Sequence, residues 1–239
     1  MTEFFNFLRE IPRYSETANG IKRLNQRYKL IVEPFLPQIN GSRVLDLACH
    51  DGRWSYALAA AGAREVVGVE ARKELLDRFE SFPDNHFKAR VNLICDDLFS
   101  DLEARNTRGE RFDVIALYGI FYHVMDHFRV LSLVSNLRPS LIIIDSEFIV
   151  TDNAMIQVLK EEVSNPLNAI SKGPNQTHTI VGVPSKRATE FMADALNYNT
   201  FWVDHALLLR GDRGGMHDYF RDGRKIRHTC GLFPQDNRL

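Results

Sequence analysis

Apolar residues along this chain fall into two patterns, short unbroken runs and stripes spaced by three or four positions. Val44, Leu45 and Leu47 make a run suited to a strand buried on both faces, and it ends in the small, turn-forming residues Ala48 to Gly52. A helix is predicted from about Arg53, carrying Tyr56, Ala57, Leu58, Ala60 and Ala61 until Gly62 stops it. Val66, Val67 and Val69 form a second run, closing on the acidic Glu70. Residues 44–72 therefore read as a βαβ unit. The rhythm continues with a helix expected over Arg72 to Phe82, turning Leu75, Leu76 and Phe79 inwards and ended by Pro83. Strands are expected at Val91 to Cys95, Phe112 to Tyr118 and Leu141 to Ile144, the last followed by Asp145, Ser146 and Glu147 at its carboxyl end. Strands alternating with helices predict an α/β domain built on a mostly parallel sheet.

The flanks depart from this rhythm. Residues 1–40 place Ile21, Leu24, Tyr28, Leu30, Ile31 and Phe35 at helical spacing, with Pro34 and Pro37 closing the helix. They read as a helical cap over one edge of the sheet or as a lid, with Arg13 and Tyr14 just before a turn at Ser15 to Gly20. Residues 150–180 form an insertion: a helix expected at Ala154 to Val163, then a segment rich in turn formers. Its Asn165, Asn168, Lys172, Asn175, Gln176 and His178 either furnish a substrate pocket or belong to a plain surface loop. Ser185 is placed to N-cap a helix reaching Leu196, with Phe191, Met192, Ala195 and Leu196 on one face. Phe201 to Leu209 and Ile226 to Phe233 read as two closing strands. The basic stretch between and around them holds Arg210, Arg213, Arg221, Arg224, Lys225 and Arg227, either solvated or in contact with a substrate phosphate or carboxylate.

Ligands of open parallel sheets lie beyond the carboxyl ends of the strands, so the turn at Ala48 to Gly52 and the carboxylate of Glu70 should share one cleft. Gly52 permits close backbone approach, and Glu70 suits a ribose diol, as any adenosine-containing cofactor offers. A dinucleotide fingerprint needs G-x-G-x-x-G, and this turn offers only Gly52. VLDLACHDG resembles instead the first motif of class I S-adenosylmethionine-dependent methyltransferases, with Asp46 and Gly52 matching and Ala48 and His50 standing where glycine is usual. Asp51, Gly52, Ser55, Ala59, Gly62 and Ala63 are similar to the D-G-x-x-S-x-x-x-A-x-x-G-A arrangement of the tRNA wobble-uridine carboxymethyltransferases.

The resemblance implies a three-layer Rossmann-like class I methyltransferase fold, with a mostly parallel seven-stranded sheet and an antiparallel C-terminal strand. It implies S-adenosyl-L-methionine as cofactor, S-adenosyl-L-homocysteine as product, and in-line methyl transfer to a small-molecule acceptor. The cofactor would be held by Asp46, Ala48, His50, Gly52, Glu70, Ala71, Asp96, Asp97, Leu98 and Tyr118. Asp96 is the candidate for the adenine amino group, and Asp97 has a competing role as helix cap. Tyr14, Phe121 and Glu147 are substrate-binding candidates. His123, with Tyr122 beside it, is the catalytic candidate, although a histidine in such a loop equally anchors backbone, and His127 reads as structural.

Composition narrows the setting. With 239 residues and 44% hydrophobic content, one substantial core is expected, within residues 41–239, preceded by the cap. A net charge of −1 demands neither nucleic acid nor an anionic membrane. Cys49, Cys95 and Cys230 lack metal or disulfide spacing, so no metal is expected. No leader-like segment or membrane-span-length apolar run is found, and a cytoplasmic setting is the expectation, with the oligomeric state open. Two alternatives remain: a tRNA wobble-uridine carboxymethyl transferase, and a non-catalytic cofactor-binding module, to which His50 in the turn points.

Overall fold

The computed structural model describes residues 3–15, 18–165, 168, 169, 173 and 175–235. After a 3-10 turn at Phe4–Glu10 come three helices, α1 (Pro12–Ser15), α2 (Ala18–Ile31) and α3 (Leu36–Ile39). The alternating part follows: β1 (Arg43–Leu47), α4 (Arg53–Ala60), β2 (Glu65–Glu70), α5 (Lys73–Leu76), β3 (Val91–Cys95), α6 (Leu98–Thr107), β4 (Val114–Tyr118), α7 (His127–Asn136) and β5 (Leu141–Ile149). A hairpin, β6 (Ile156–Glu162) and β7 (His178–Pro184), precedes α8 (Lys186–Asp194), β8 (Tyr198–Trp202), α9 (His217–Phe220) and β9 (Lys225–Pro234).

Seven strands form one sheet in the order β3-β2-β1-β4-β5-β9-β8, with β9 antiparallel to both neighbours and the pairs from β3 to β5 parallel. The order reverses between β1 and β4, which opens a crevice beyond their carboxyl ends. Strand side chains divide by alternation. Val44, Val66, Val114, Ala116, Leu141 and Ile143 join a core with Phe5, Leu8, Ile21, Ile31, Trp54 and Leu58. Leu45, Leu47, Val67, Val69, Ile115, Leu117, Ile142 and Ile144 join a second core with Leu102, Leu131, Val134 and Ala193. Helical cover on both faces is why these strands read as unbroken apolar runs. Phe5, Leu8, Tyr14, Ile21, Leu24, Ile31, Phe35 and Ile39 of the N-terminal helices pack on the face of the central strands, where the sequence placed these helices at an edge.

Several expected elements change. The helix expected over 72–82 is the short α5 continued by a 3-10 segment, Asp77–Ser81. β5 runs on to Ile149, so Asp145, Ser146 and Glu147 lie inside the strand, opposite Thr229, His228 and Arg227 of β9. The helix expected at Ala154 to Val163 is the strand β6, whose residues alternate between exposed and half-buried as they pair with β7. Period two, not apolar content, governs there. The penultimate strand is Tyr198–Trp202 rather than Phe201 to Leu209, and the chain then turns through 3-10 segments at His205–Leu207 and Arg210–Asp212. Ser185 caps α8 by accepting from the Ala188 amide, and Met192 and Leu196 pack partly buried against the second core as expected, beside the buried Ala188, Thr189 and Ala193, while Phe191 is 54% exposed under Arg187. In the basic stretch, Arg221 and Lys225 both pair with Glu147 at 2.6 Å. Lys172 and residues 16–17 of the expected turn lie outside the described residues.

Gly68, in the middle of β2, shows how tightly the first core meets the cleft. A Cβ there would fall 2.6 Å from Leu93 Cδ2, 2.8 Å from Ser55 Oγ and 2.9 Å from Cys49 Sγ. Gly68→Ala is expected to destabilise the fold by ~1–3 kcal/mol, read as a lowered denaturant midpoint, because the Leu93, Ser55 and Cys49 side chains must all give way to the added methyl. An unchanged midpoint would contradict this packing.

Candidate functional site

A cleft of about 790 Å³ opens beyond the carboxyl ends of β1, β2, β3 and β4. Its floor is the turn after β1, where Ala48 (φ 57°), His50 (φ 56°) and Gly52 (φ 75°) all take left-handed backbone at alternate positions. The side chains of Ala48 and His50 make that geometry costly, on the order of 1–2 kcal/mol each, which is the physical reason glycine suits these places. Cys49 N–H donates to Val69 O at 3.0 Å, pinning the turn to β2. Gly52 serves packing here: a Cβ on it would meet Phe79 Cδ2 at 2.8 Å and Leu93 Cδ1 at 2.9 Å.

One end of the cleft is acidic. Asp46 is buried and accepts from Ser55 Oγ at 2.7 Å. Burial pushes its carboxyl up to about 7, the Ser55 hydrogen bond working against this and the charge of Glu70 adding to it. Glu70, ending β2, accepts from His50 N at 3.2 Å and from Arg72 Nε at 2.8 Å, with Arg72 N and Nη2 at 3.2 and 3.4 Å. Asp97 caps α6 through the Phe99 and Ser100 amides at 3.0 and 3.3 Å. Asp96 Oδ1 accepts from the Asp97 amide at 2.7 Å, and its other oxygen has no hydrogen-bond partner among the described residues.

The opposite end holds Tyr118, Gly119, Tyr122 and His123, with basic side chains beneath them. His123 Nδ1 lies 2.8 Å from Glu161 Oε2 on the hairpin, and the same oxygen accepts from Ala169 N at 2.9 Å. Burial lowers the imidazole pKa, partly offset by Glu161, so the ring is neutral near pH 7. Nδ1 then donates to Glu161, and Nε2 is left as the acceptor on a ring that lines the cleft. Below it, the buried Asp145 accepts from Arg27 Nη2 and Arg227 Nη1, both at 2.7 Å, from Thr229 Oγ1 at 3.0 Å, and from the Tyr219 hydroxyl. Burial alone would raise the Asp145 carboxyl, but Arg27 and Arg227 outweigh it and hold it well below the usual range. Arg227 also donates to Asp218 at 2.9 Å and to Tyr122 Oη at 3.0 Å, and Arg23 grips Asp218 with two bonds of 2.6 and 2.7 Å.

Of the residues singled out from the sequence, Asp46, Ala48, His50, Glu70, Ala71, Asp96, Asp97, Leu98, Tyr118, Tyr122 and His123 line this cleft. Four do not. Tyr14 sits behind the turn and donates to Asp51, Gly52 packs against Phe79, and Phe121 is buried edge-on to His127 in the second core. Glu147 is occupied by Arg221 and Lys225. His127 reaches the Met125 and Gly182 carbonyls at 3.1 and 3.0 Å, a structural position. Sequence reasoning missed Arg23, Arg27, Trp54 and Glu161. The four-residue spacing of Arg23 and Arg27, off the apolar stripe of α2, was the available signal.

Residues 44–140 match the family model described as a methyltransferase domain. The N-terminal domain of EvdMO1, crystallised in the presence of SAH and D-fucose, superposes with a TM-score of 0.63 at 17% identity, over 90% of this chain and 82% of that one. The chain has a class I methyltransferase fold. Among curated relatives, a protein of Methanocaldococcus jannaschii provisionally named a ribosomal RNA large subunit methyltransferase is 38% identical over 111 residues, 44% of this chain and 28% of its own. The tRNA U34 carboxymethyltransferase of Marinobacter nauticus is 30% identical over 95 residues, 38% of this chain and 27% of its own. This methyltransferase-fold chain thus spans roughly a quarter of the length of these relatives.

The raised Asp46 carboxyl has a signed consequence. Between its ordinary value of 3.8 and about 7, the unfolded chain has lost this proton while the folded chain keeps it. Stability is therefore lost as pH rises through that window, on the order of 1.4 kcal/mol per pH unit. Asp46→Asn is expected to flatten the fall, seen by comparing denaturation midpoints of the two proteins at pH 4 to 8. Parallel pH profiles would contradict the assignment.

Proposed function

We propose that the chain transfers a methyl group from S-adenosyl-L-methionine to a small acceptor held at the basic end of the cleft. What carries this reading is that the acidic strand ends and His123, backed by Glu161, line one cavity. Its volume of about 790 Å³ lies in the upper range of small-molecule sites, room for a nucleoside cofactor and a modest second ligand.

The donor set fits the cofactor, with one condition. Glu70 suits the ribose hydroxyls, but Arg72 and the His50 amide already fill its acceptor positions, so the Arg72 guanidinium must swing away when the ribose binds. Asp96, with its second oxygen, and the Leu98 amide at the start of α6 are placed for the adenine edge. Ala48, His50 and Tyr118 would border the methionine part, and Asp46 favours a cationic neighbour. Once bound, the cofactor supplies a methyl group already activated by the sulfonium charge. The chain's task is alignment and exclusion of water. His123 Nε2 takes the proton released by the acceptor nucleophile, and Glu161 fixes the tautomer and steadies the imidazolium that results.

A small acceptor is favoured over RNA because Asn168, Ala169 and Gln176, with Thr179 and Ile180 of β7, add a further wall to the cleft, which has the volume of a small-molecule site. The packing of Phe5, Leu8, Ile21, Leu24 and Ile31 against α4 and the central strands supports the cap reading of the N-terminal helices over the lid. No helix among the described residues is long and apolar enough to cross a membrane.

The test is transfer of labelled methyl from S-adenosyl-L-methionine to small carboxylic and phosphorylated acceptors, with bulk tRNA in parallel. His123→Ala is expected to lower kcat by about 10²–10⁴ while leaving acceptor KM within a few-fold. Glu161→Gln should give a smaller loss and displace the pH–rate profile. Unaltered kcat in His123→Ala would remove it as the base, and labelling of tRNA alone would replace the small-acceptor reading.

A further inference from the structure

The arginines at the basic end of the cleft outnumber the carboxylates that contact them. Arg23, Arg27 and Arg227 line it, and the carboxylates in contact with them are Asp145 and Asp218. The other group bonded to both Arg27 and Asp145 is the phenol of Tyr219, kept neutral by burial and by the Asp145 carboxylate. Three cations are therefore in contact with two anions, while the further carboxylate of this end, Glu161, is engaged by His123 and the Ala169 amide rather than by an arginine. Both central arginines are nearly buried, with side-chain exposures of 12% for Arg27 and 9% for Arg227. An uncompensated charge in such surroundings is costly and calls for a partner.

Arg27 is the side chain with an edge to spare. Its Nε donates to Tyr219 Oη at 3.0 Å and its Nη2 to Asp145 at 2.7 Å, while Nη1 has no hydrogen-bond partner among the described residues. The guanidinium stands over the Trp54 ring, 5.1 Å from its centroid, and this fixes its plane. The other arginines at the cleft are matched to acids: Arg53 to Asp51, Arg72 to Glu70 and Arg129 to Glu103. Across the cavity the carboxyl groups of Asp46, Glu70, Asp96 and Asp97 gather, and among the described residues the cation bonded to them is Arg72, on Glu70. The cleft is bipolar, acidic towards the cationic donor and basic towards the acceptor.

From this we infer that the acceptor is an anion, and that its carboxylate or phosphate is received by the free edge of Arg27 with Arg23 beside it. The inference rests on the methyltransferase reading and deepens it, and it concerns a group on the acceptor rather than the cofactor's own carboxylate. An anion here gives the arginine cluster the partner that Asp145 and Asp218 leave Arg27 Nη1 without. It also anchors the acceptor beside Tyr122 and His123, whose rings lie 4.0 Å apart between centroids.

The test uses the full chain saturated with S-adenosyl-L-homocysteine, titrated calorimetrically with inorganic phosphate and with benzoate as probes. Wild type is expected to bind at least one of them in roughly the millimolar range. Arg27→Lys keeps a cation on Asp145 but removes the forked edge, and should weaken that binding about tenfold with S-adenosyl-L-homocysteine affinity unchanged. Arg23→Gln, at a more exposed position, gives an independent reading and should weaken it in the same direction. Three outcomes overturn the inference: neither probe bound by wild type, probe binding unaffected by both substitutions, or a comparable loss of S-adenosyl-L-homocysteine affinity, which would assign the edge to the cofactor's carboxylate. Failure of wild type to bind S-adenosyl-L-homocysteine at all would instead overturn the methyltransferase reading beneath it.

Discussion

Much of this architecture depends on one buried carboxylate. Asp145 sits within β5 with no exposed surface, and such a charge persists in a sheet interior only when it is fully met. Its partners come from α2, from α9 and from two positions on β9, so the ion cluster ties the N-terminal helices and the last strand to the middle of the sheet. Removing it would leave Arg27 and Arg227 as buried like charges. The same cluster forms the basic wall of the cleft, so the device that closes the fold also sets the character of the site.

The opposite wall follows from topology. Parallel strands that reverse order between β1 and β4 bring their carboxyl ends around one crevice, and the chain places acids at the ends of β2 and β3. The turn after β1 is held in left-handed backbone at Ala48 and His50 despite their side chains. That local cost is sustained by the surrounding contacts, among them the Cys49 amide on Val69 and the Ser55 hydroxyl on Asp46.

The alternating core and the acidic strand ends were legible because their signals are local: an unbroken apolar run, a turn, an acid at the right offset. Asp97 as the cap of α6 and Ser185 as the cap of α8 were legible for the same reason. The length of β5 was not, since Asp145 looks like a strand end until Arg27 and Arg227, 118 and 82 positions away in the chain, neutralise it. Nor was β6, where Lys160, Glu161 and Glu162 obscure the alternation of Ile156, Val158 and their neighbours. Glu161 was overlooked with it, because its meaning lies in a contact with His123 that only the hairpin creates. Phe121, Tyr14 and Glu147 were near the site in sequence and directed elsewhere by packing or ion pairing.

The central claim is that the acidic end of the cleft holds an adenosine cofactor through Glu70, and that the cofactor is S-adenosylmethionine. The most direct measurement is a calorimetric titration of the purified protein with S-adenosyl-L-homocysteine, alongside NAD and alongside the same titration of Glu70→Ala. The account predicts roughly micromolar binding of the first, none of the second, and a large loss of affinity in the variant. Binding of NAD alone, or undiminished binding by Glu70→Ala, would contradict it.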